Sequence, residues 1–112
     1  EPEIASVGLT ETQAREKGVQ IRVGRYDMKG NGQQIISRET GGFIKVIFAA
    51  NSDVLLGAQI MCARATDMIG ELATALANGL TSTQLMYAMR AHPTFNEAIS
   101  CAVENSRDNI KE

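Results

Sequence analysis

Two apolar runs in the middle of the chain give the clearest structural signal in the sequence. They cover Phe43 to Ala50 and Val54 to Met61, and the polar triplet Asn51-Ser52-Asp53 separates them. Apolar runs of this length that are joined by turn-forming residues are typical of a β-hairpin. Gly57 lies inside the second run, where it predicts either a β-bulge or the close approach of another backbone segment.

The pattern before the hairpin predicts a short helix followed by a strand. Thr10 and Gln13 have the spacing of a capping box, in which each residue bonds the backbone of the other. The helix would run from Glu11 to Lys17 and end at Gly18. From Val19 to Tyr26 apolar and polar residues alternate, which indicates a half-buried strand.

After the hairpin the apolar period changes from two residues to between three and four, which predicts helices. The first of these would run from Arg64 to Asn78 and end at Gly79. Thr81 and Gln84 form a second capping-box pattern, which predicts a shorter helix. The last helix is expected to start at Phe95. Its predicted buried face consists of Phe95, Ala98, Ile99, Ala102 and Val103.

These elements predict an α+β fold, in which an antiparallel sheet of three to four strands carries helices packed on one face. The chain has 112 residues, which fits a single domain with one modest core. Its 11 basic and 13 acidic residues nearly balance, which argues against nucleic acid and membrane surfaces as partners. No apolar run reaches the ~18 residues of a membrane span.

The two cysteines, Cys62 and Cys101, lie far apart in the sequence and among apolar residues. We expect both to be buried thiols in a reducing compartment, the cytoplasm, rather than halves of a disulfide. Together with one histidine they do not make a metal site. The Gly30-Asn31-Gly32 segment lacks the third glycine of a dinucleotide-binding turn, so we expect this chain alone to bind no cofactor.

The candidate site is the stretch Ala91-His92-Pro93-Thr94-Phe95-Asn96-Glu97, which contains the only histidine. Proline disfavours the α conformation in the residue before it, so the preceding helix should end at His92. Thr94 and Glu97 have capping-box spacing for the last helix. Glu97 can therefore cap its own helix or reach the imidazole, and the residues alone leave both roles open. In the second role the carboxylate would orient the ring and favour its charged form, as a general acid/base requires.

The motif His92-Pro93-Thr94-x-x-Glu97 resembles the C-terminal signature of the flavin-dependent pyridine nucleotide–disulfide oxidoreductases. With Ala91 in front of it, the motif is similar to that of the dihydrolipoyl dehydrogenases within this family. Two further segments agree with the family's interface domain, its opening segment and its central hairpin. They are Pro2 to Glu11, and Gly42 to Val46 followed by Leu55 to Ala58. The resemblance therefore covers the chain nearly from end to end.

The resemblance implies that this chain is the C-terminal dimerisation domain of a larger flavoenzyme. Domains upstream of it would bind FAD and NAD and carry a redox-active cysteine pair. In the homodimer, His92 would take a proton from dihydrolipoamide at the active site of the partner subunit, and Glu97 would hold the ring. The lipoyl group would belong to a 2-oxo acid dehydrogenase or glycine cleavage complex. The His92–Pro93 bond would be cis and direct the backbone toward the flavin of the partner subunit.

The sequence departs from the family pattern at two positions, and two other functions are compatible with it. The family often has Ser where this chain has Asn96, and commonly has Gly where this chain has Cys62. The chain would instead be a non-catalytic homo-association or regulatory module if Glu97 only caps its helix and stays more than ~5 Å from the His92 ring. It would be the same domain of a glutathione-type disulfide reductase if the substrate differs, although Ala91 favours the lipoamide enzyme.

Overall fold

A computed structural model of the protein describes residues 3–27, 42–62, 65–91 and 97–107. These residues form four strands and four helices. In chain order the elements are β1 (Glu3–Gly8), α1 (Glu11–Glu16), β2 (Ile21–Asp27), β3 (Phe43–Ala49), β4 (Leu55–Cys62), α2 (Ala65–Ala77), α3 (Ser82–Ala91) and α4 (Glu97–Arg107). Within this part of the chain no helix has both the length and the apolar character needed to cross a membrane.

The four strands form one antiparallel sheet in the order β1-β4-β3-β2. The predicted central hairpin is confirmed as β3 and β4. The edge strand β1 lies in a segment for which the apolar pattern predicted no element, and it pairs with β4 from Glu3 opposite Cys62 to Gly8 opposite Gly57. The predicted α+β fold with an antiparallel sheet is therefore confirmed, with four strands.

The main hydrophobic core lies between one face of the sheet and the helices α2, α3 and α4. Burying a large aliphatic or aromatic side chain there stabilises the fold by about 1.5–3 kcal/mol relative to leaving it in water. The fully buried members from the sheet and the helices include Ile44, Val46, Phe48, Ile60, Leu72, Ile99 and Val103. Of these residues, Ile99 and Val103 belong to the buried face that the helix periodicity predicted for the last helix.

A second, smaller cluster lies on the opposite face of the sheet, where the short helix α1 packs. Its buried members are Ala14, Ile21, Val23 and Ile47. Alternation along β2 sends Ile21 and Val23 to this face, and it turns Gly24 toward α4 instead. The three longer helices thus share one face as predicted, whereas α1 covers part of the other.

Gly57 lies at a bulge and at a close backbone contact, and the sequence had predicted one or the other. Ile47 pairs with Gly57 but Phe48 pairs with Leu55, which leaves Leu56 as the extra residue of β4. A Cβ on Gly57 would overlap the carbonyl oxygen of Leu9. Both expectations for this glycine are therefore confirmed.

The prediction for the two cysteines is correct for one of them. Cys62 and Cys101 do not form a disulfide, and Cys62 is buried with its Sγ 3.6 Å from Sδ of Met68. Cys101 is only half-buried, so the expectation that it is a buried thiol is wrong. The reason is its place on α4, at the flank of the face by which Ala98 and Ala102 contact the sheet side of the core.

Candidate functional site

The candidate stretch connects the end of α3 to the beginning of α4. The helix α3 is described as far as Ala91, directly before His92. Residues 92–96 lie outside the described residues, so the predictions for His92, Pro93, Thr94, Phe95 and Asn96 remain predictions, among them the cis bond. Glu97 is described by its backbone alone, as the first residue of α4. The structure therefore defines this site through the two helices that hold its ends.

The helix α4 is seated on the sheet by its apolar face, which the sequence predicted. Ala98, Ile99, Ala102 and Val103 are all buried in the main core. At the neighbouring strand, a Cβ on Gly24 would overlap the carbonyl oxygen of Ala102 and lie 2.7 Å from the backbone nitrogen of Ser106. Strand and helix are thus in direct backbone contact, and only glycine at position 24 allows it.

Polar contacts add to this seat. The backbone N–H of Arg25 on β2 donates a hydrogen bond to Oδ1 of Asn105 on α4, at 2.9 Å. The buried hydroxyl of Ser106 donates to the carbonyl of Val103, at 2.6 Å. The apolar seat limits how far α4 moves from the sheet, and the Arg25–Asn105 bond limits sliding along the strand. The backbone position at which α4 begins, Glu97, is fixed by the same contacts.

The start of α3 is fixed to the hairpin by backbone bonds and a capping box. Thr81 and Gln84 bond each other's backbone N–H reciprocally, at 2.9 and 3.1 Å, so the predicted capping box is confirmed. Thr81 also forms an isolated β-bridge with Val54. The N–H of Leu55 donates to the carbonyl of Leu80 at 2.9 Å. The residues that lead into α3 therefore form part of the edge of the hairpin turn.

Asp53 is the residue of this region that sequence reasoning treated only as a turn former. Its φ is 66°, a left-handed conformation that aspartate tolerates better than most residues. Its carboxylate accepts hydrogen bonds from Oγ of Ser82 at 2.7 Å and from N of Thr83 at 3.4 Å. The same carboxylate forms an ion pair with Arg22 on β2. Asp53 thus connects the hairpin turn to β2 and to the first turn of α3.

Side chains of α3 complete the anchoring from the core side. Leu85 and Met86 are buried in the main cluster. Tyr87, the next residue, is 78% exposed.

Among the described residues no group of three or more His, Cys, Asp or Glu side chains lies together in a way that could hold a metal ion. The described residues thus provide the two helices, α3 and α4, between which residues 92–96 lie in the sequence.

Comparison with known proteins gives a consistent assignment. A sequence model of the pyridine nucleotide-disulphide oxidoreductase dimerisation domain matches residues 1–103. A dihydrolipoyl dehydrogenase of Bacillus subtilis is 41% identical over 104 residues, which are 93% of this chain and 22% of the relative. One of Staphylococcus aureus is 36% identical over 106 residues, 95% of this chain and 23% of the relative. The chain thus spans about a fifth of the length of these relatives.

Solved structures show the same fold. LpdA of Mycobacterium tuberculosis superposes with a TM-score of 0.79 at 24% identity, over 96% of this chain and 23% of that one. The HOCl-induced flavoprotein disulfide reductase RclA of Escherichia coli superposes with a TM-score of 0.78 at 25% identity, over 93% of this chain and 26% of that one. With a family match over residues 1–103 and relatives at 36–41% identity, the chain belongs to the dimerisation-domain family of the pyridine nucleotide-disulphide oxidoreductases.

Proposed function

We propose that this chain is the single dimerisation domain of a longer dihydrolipoyl dehydrogenase. In the complete homodimer it would supply the acid/base pair His92 and Glu97 to the active site of the partner subunit. The observation that carries the proposal is the position of the His92 stretch. It connects α3, which is bonded at its start to the hairpin turn, to α4, which packs on the sheet, in a chain 41% identical to a dihydrolipoyl dehydrogenase.

The frame around the stretch suits catalysis more than passive association. A general base must be held within about 3 Å of the proton that it removes, and a misplacement of about 1 Å lowers rates by on the order of a hundredfold. Residues 92–96 connect the last residue of α3 to the first residue of α4. A pure association module does not require that the two helices flanking a lone histidine are held in place, so the contacts that hold α3 and α4 support the catalytic role.

The chemistry follows from the residue types. His92 would take the proton of one thiol of dihydrolipoamide, because the thiolate and not the thiol attacks a disulfide. The thiolate would attack one sulfur of the redox-active disulfide in the partner subunit and form a mixed disulfide, with the second cysteine sulfur leaving. The remaining thiol of the substrate would then displace the enzyme sulfur and give oxidised lipoamide. One of the two protons would stay on the imidazole and the other would go to a cysteine.

Glu97 would act on the charged form of the ring. A carboxylate beside an imidazole favours the imidazolium, which has to form when the dithiol loses its proton. The imidazolium would in turn stabilise the thiolate beside it. Aimed at the ring, the same carboxylate would also fix the tautomer in which the opposite nitrogen is the proton acceptor.

The redox cofactors belong to the part of the enzyme outside this chain. FAD and NAD, bound by upstream domains, would accept the two electrons that the dithiol loses. The chain contains no Gly-x-Gly-x-x-Gly turn. The residues of this chain therefore do not fit a binding site for either dinucleotide. We assign them no part in the transfer of electrons to FAD and NAD. The contact of the His92 and Pro93 backbone with the flavin of the partner subunit is part of this proposal.

The test uses the full-length enzyme with His92→Gln. We expect normal FAD content, a normal dimer, and a loss of lipoamide turnover by about 10²- to 10⁴-fold, the usual contribution of a general acid/base. Electron transfer from NADH to an artificial acceptor that needs no dithiol should change little. Near-normal lipoamide turnover would rule out the role of His92.

Two controls sharpen the assignment. Glu97→Gln should lower lipoamide turnover, whereas Glu104→Gln, which changes an exposed carboxylate on the same helix, should not. Activity with glutathione disulfide in place of lipoamide would identify the glutathione-type reductase instead.

A further inference from the structure

We propose that Asp53 is a positioning residue for His92. By holding Ser82, it fixes the start of α3 and so the place where this helix delivers the imidazole. This inference rests on the proposed function, because it assigns a role in a reaction that His92 carries out. Asp53 itself is in a hairpin turn and is 39 positions before His92 in the sequence.

The contact between Asp53 and α3 is extensive for a single residue. The Asp53 carbonyl accepts from N of Ser82 at 3.0 Å, and the carboxylate accepts from Oγ of Ser82 at 2.7 Å and from N of Thr83 at 3.4 Å. A carboxylate at a helix N-terminus is also favoured by the helix dipole. Ser82 is only 1% exposed, so water cannot replace Asp53 as the partner of this hydroxyl.

The turn that carries Asp53 is itself fixed. The N–H of Asp53 donates to the carbonyl of Ala49 at 2.9 Å, which closes the end of β3. Arg22 of β2 forms an ion pair with the carboxylate, and its side chain is only 16% exposed. Within the described part of the chain, Nε of Arg22 is buried without a hydrogen-bond partner. Asp53 is therefore the group that balances the charge of this arginine and ties it to the helix.

The strand β2 is connected to both helices that flank the candidate stretch. Arg22 holds α3 through Asp53, and Gly24, two residues further on, is the seat of Ala102 on α4. The relative position of the two helix ends therefore depends on one short strand segment. Because His92 follows one helix in the sequence and Glu97 begins the other, this strand segment links the positions of the two helices between which the candidate stretch lies.

Because α3 is ten residues long, a small tilt at the Asp53–Ser82 contact displaces the other end of the helix. Ten helical residues span about 15 Å, so a tilt of about 4° at Ser82 moves the other end by about 1 Å. The far end is Ala91, which is bonded directly to His92. A displacement of that size is enough to lower the rate of a general base by one to two orders of magnitude.

The chain offers a matched control at another helix. At the start of α2, N and Oγ1 of Thr66 donate to Oε1 of Glu3 at 3.0 and 2.8 Å, which is the same hydroxyl-to-carboxylate cap. The helix α2 ends at Ala77 and does not lead into His92. Thr66→Ala should therefore remove the same kind of helix-start hydrogen bond, in this case an exposed one, without moving the imidazole.

The experiment compares Ser82→Ala with Thr66→Ala in the full-length, FAD-loaded dimer. Ser82→Ala keeps the Arg22–Asp53 ion pair and introduces a good helix former. We expect it to lower kcat for dihydrolipoamide about 10- to 100-fold with KM changed less than about 3-fold. We also expect the acid limb of the pH profile of kcat/KM to shift, because the distance from ring to carboxylate changes. Thr66→Ala should leave both kcat and the pH profile at wild-type values.

A second variant keeps the test valid if Ser82→Ala does not assemble. Asp53→Asn retains the positive φ and one acceptor oxygen but loses the attraction to Arg22, and we expect about a 3- to 10-fold lower kcat. The double variant should be no slower than the slower single variant, because both act through one contact. Wild-type kcat and an unshifted pH profile in Ser82→Ala and Asp53→Asn would overturn the inference. If His92→Gln alone loses turnover, the proposed function stands; if it keeps turnover, both fall.

Discussion

Gly24 of β2 and Ala102 of α4 are in direct backbone contact, and the carbonyl oxygen of Ala102 occupies the space that a Cβ at position 24 would need. Helix and strand usually meet through side chains, which can adjust to small changes. Here the distance is set by main-chain atoms on both sides. The helix that begins with Glu97 is therefore held more rigidly than side-chain packing alone would hold it.

We predict that Gly24→Ala destabilises the domain. The added methyl group would meet the backbone of Ala102 and Ser106, neither of which can rotate away, so α4 must shift. Overpacking of this kind costs about 1–3 kcal/mol, or more where backbone must move. Urea denaturation of the 112-residue chain measures the free energy of unfolding. Unchanged stability would mean that α4 does not rest on β2 as described.

The opposite result is expected for Gly70→Ala. Gly70 lies within α2, is exposed, and a Cβ there would meet no atom within 4 Å. Alanine favours the helix over glycine by about 1 kcal/mol, so the free energy of unfolding should rise by that amount. The same denaturation experiment gives the value and serves as the control for Gly24. A loss of stability would show that position 70 is not in open space.

Ile99 should carry much of the stability of α4. It is 0% exposed and lies in the main core, one helical turn before Val103. Ile99→Ala is expected to cost about 2–5 kcal/mol and Ile99→Val about 0.5–1.5 kcal/mol, since the cavity grows with the atoms removed. Glu104→Ala, at an exposed position of the same helix, should stay within about 0.5 kcal/mol of wild type. Equal costs for Ile99→Ala and Glu104→Ala would contradict the packing of this helix.

The pH dependence of the full-length enzyme tests Glu97 separately from His92. A carboxylate partner favours the imidazolium, so Glu97→Gln should lower the pKa of His92. The base would then be neutral at lower pH, and the acid limb of kcat/KM for dihydrolipoamide should move downward from its wild-type position. Measurement between roughly pH 5 and 8 covers the range in which histidine titrates. An unmoved limb would leave Glu97 as a helix cap only.

Local features of the fold were predictable because their physics is local. The capping boxes at Thr10 and Thr81 join residues three positions apart, and both occur as predicted. The bulge at Gly57 follows from a glycine within an apolar strand. The helical faces of α2 and α4 follow from a period of 3.6 residues.

Contacts between distant segments could not be predicted in this way. The bond from Ser82 to Asp53 joins residues 29 positions apart, and in sequence Asp53 is one turn former among three. The close approach of Gly24 to Ala102 could not be predicted, because no sequence pattern marks it. A glycine in an alternating strand can equally lie where no other backbone comes near. The strand β1 was missed because its partner β4, and not its own alternation, determines it.

The central claim, that His92 serves the partner subunit, is tested most directly by hybrid dimers. One subunit carries His92→Gln and the other carries a serine in place of one redox-active cysteine, and each parent dimer should be inactive. Supply across the interface leaves one complete site in every hybrid, so random mixing should restore about a quarter of the wild-type lipoamide turnover. If His92 serves its own subunit, no site in the hybrid is complete. A mixture that stays as inactive as its parents, although hybrid dimers are present, would contradict the proposal.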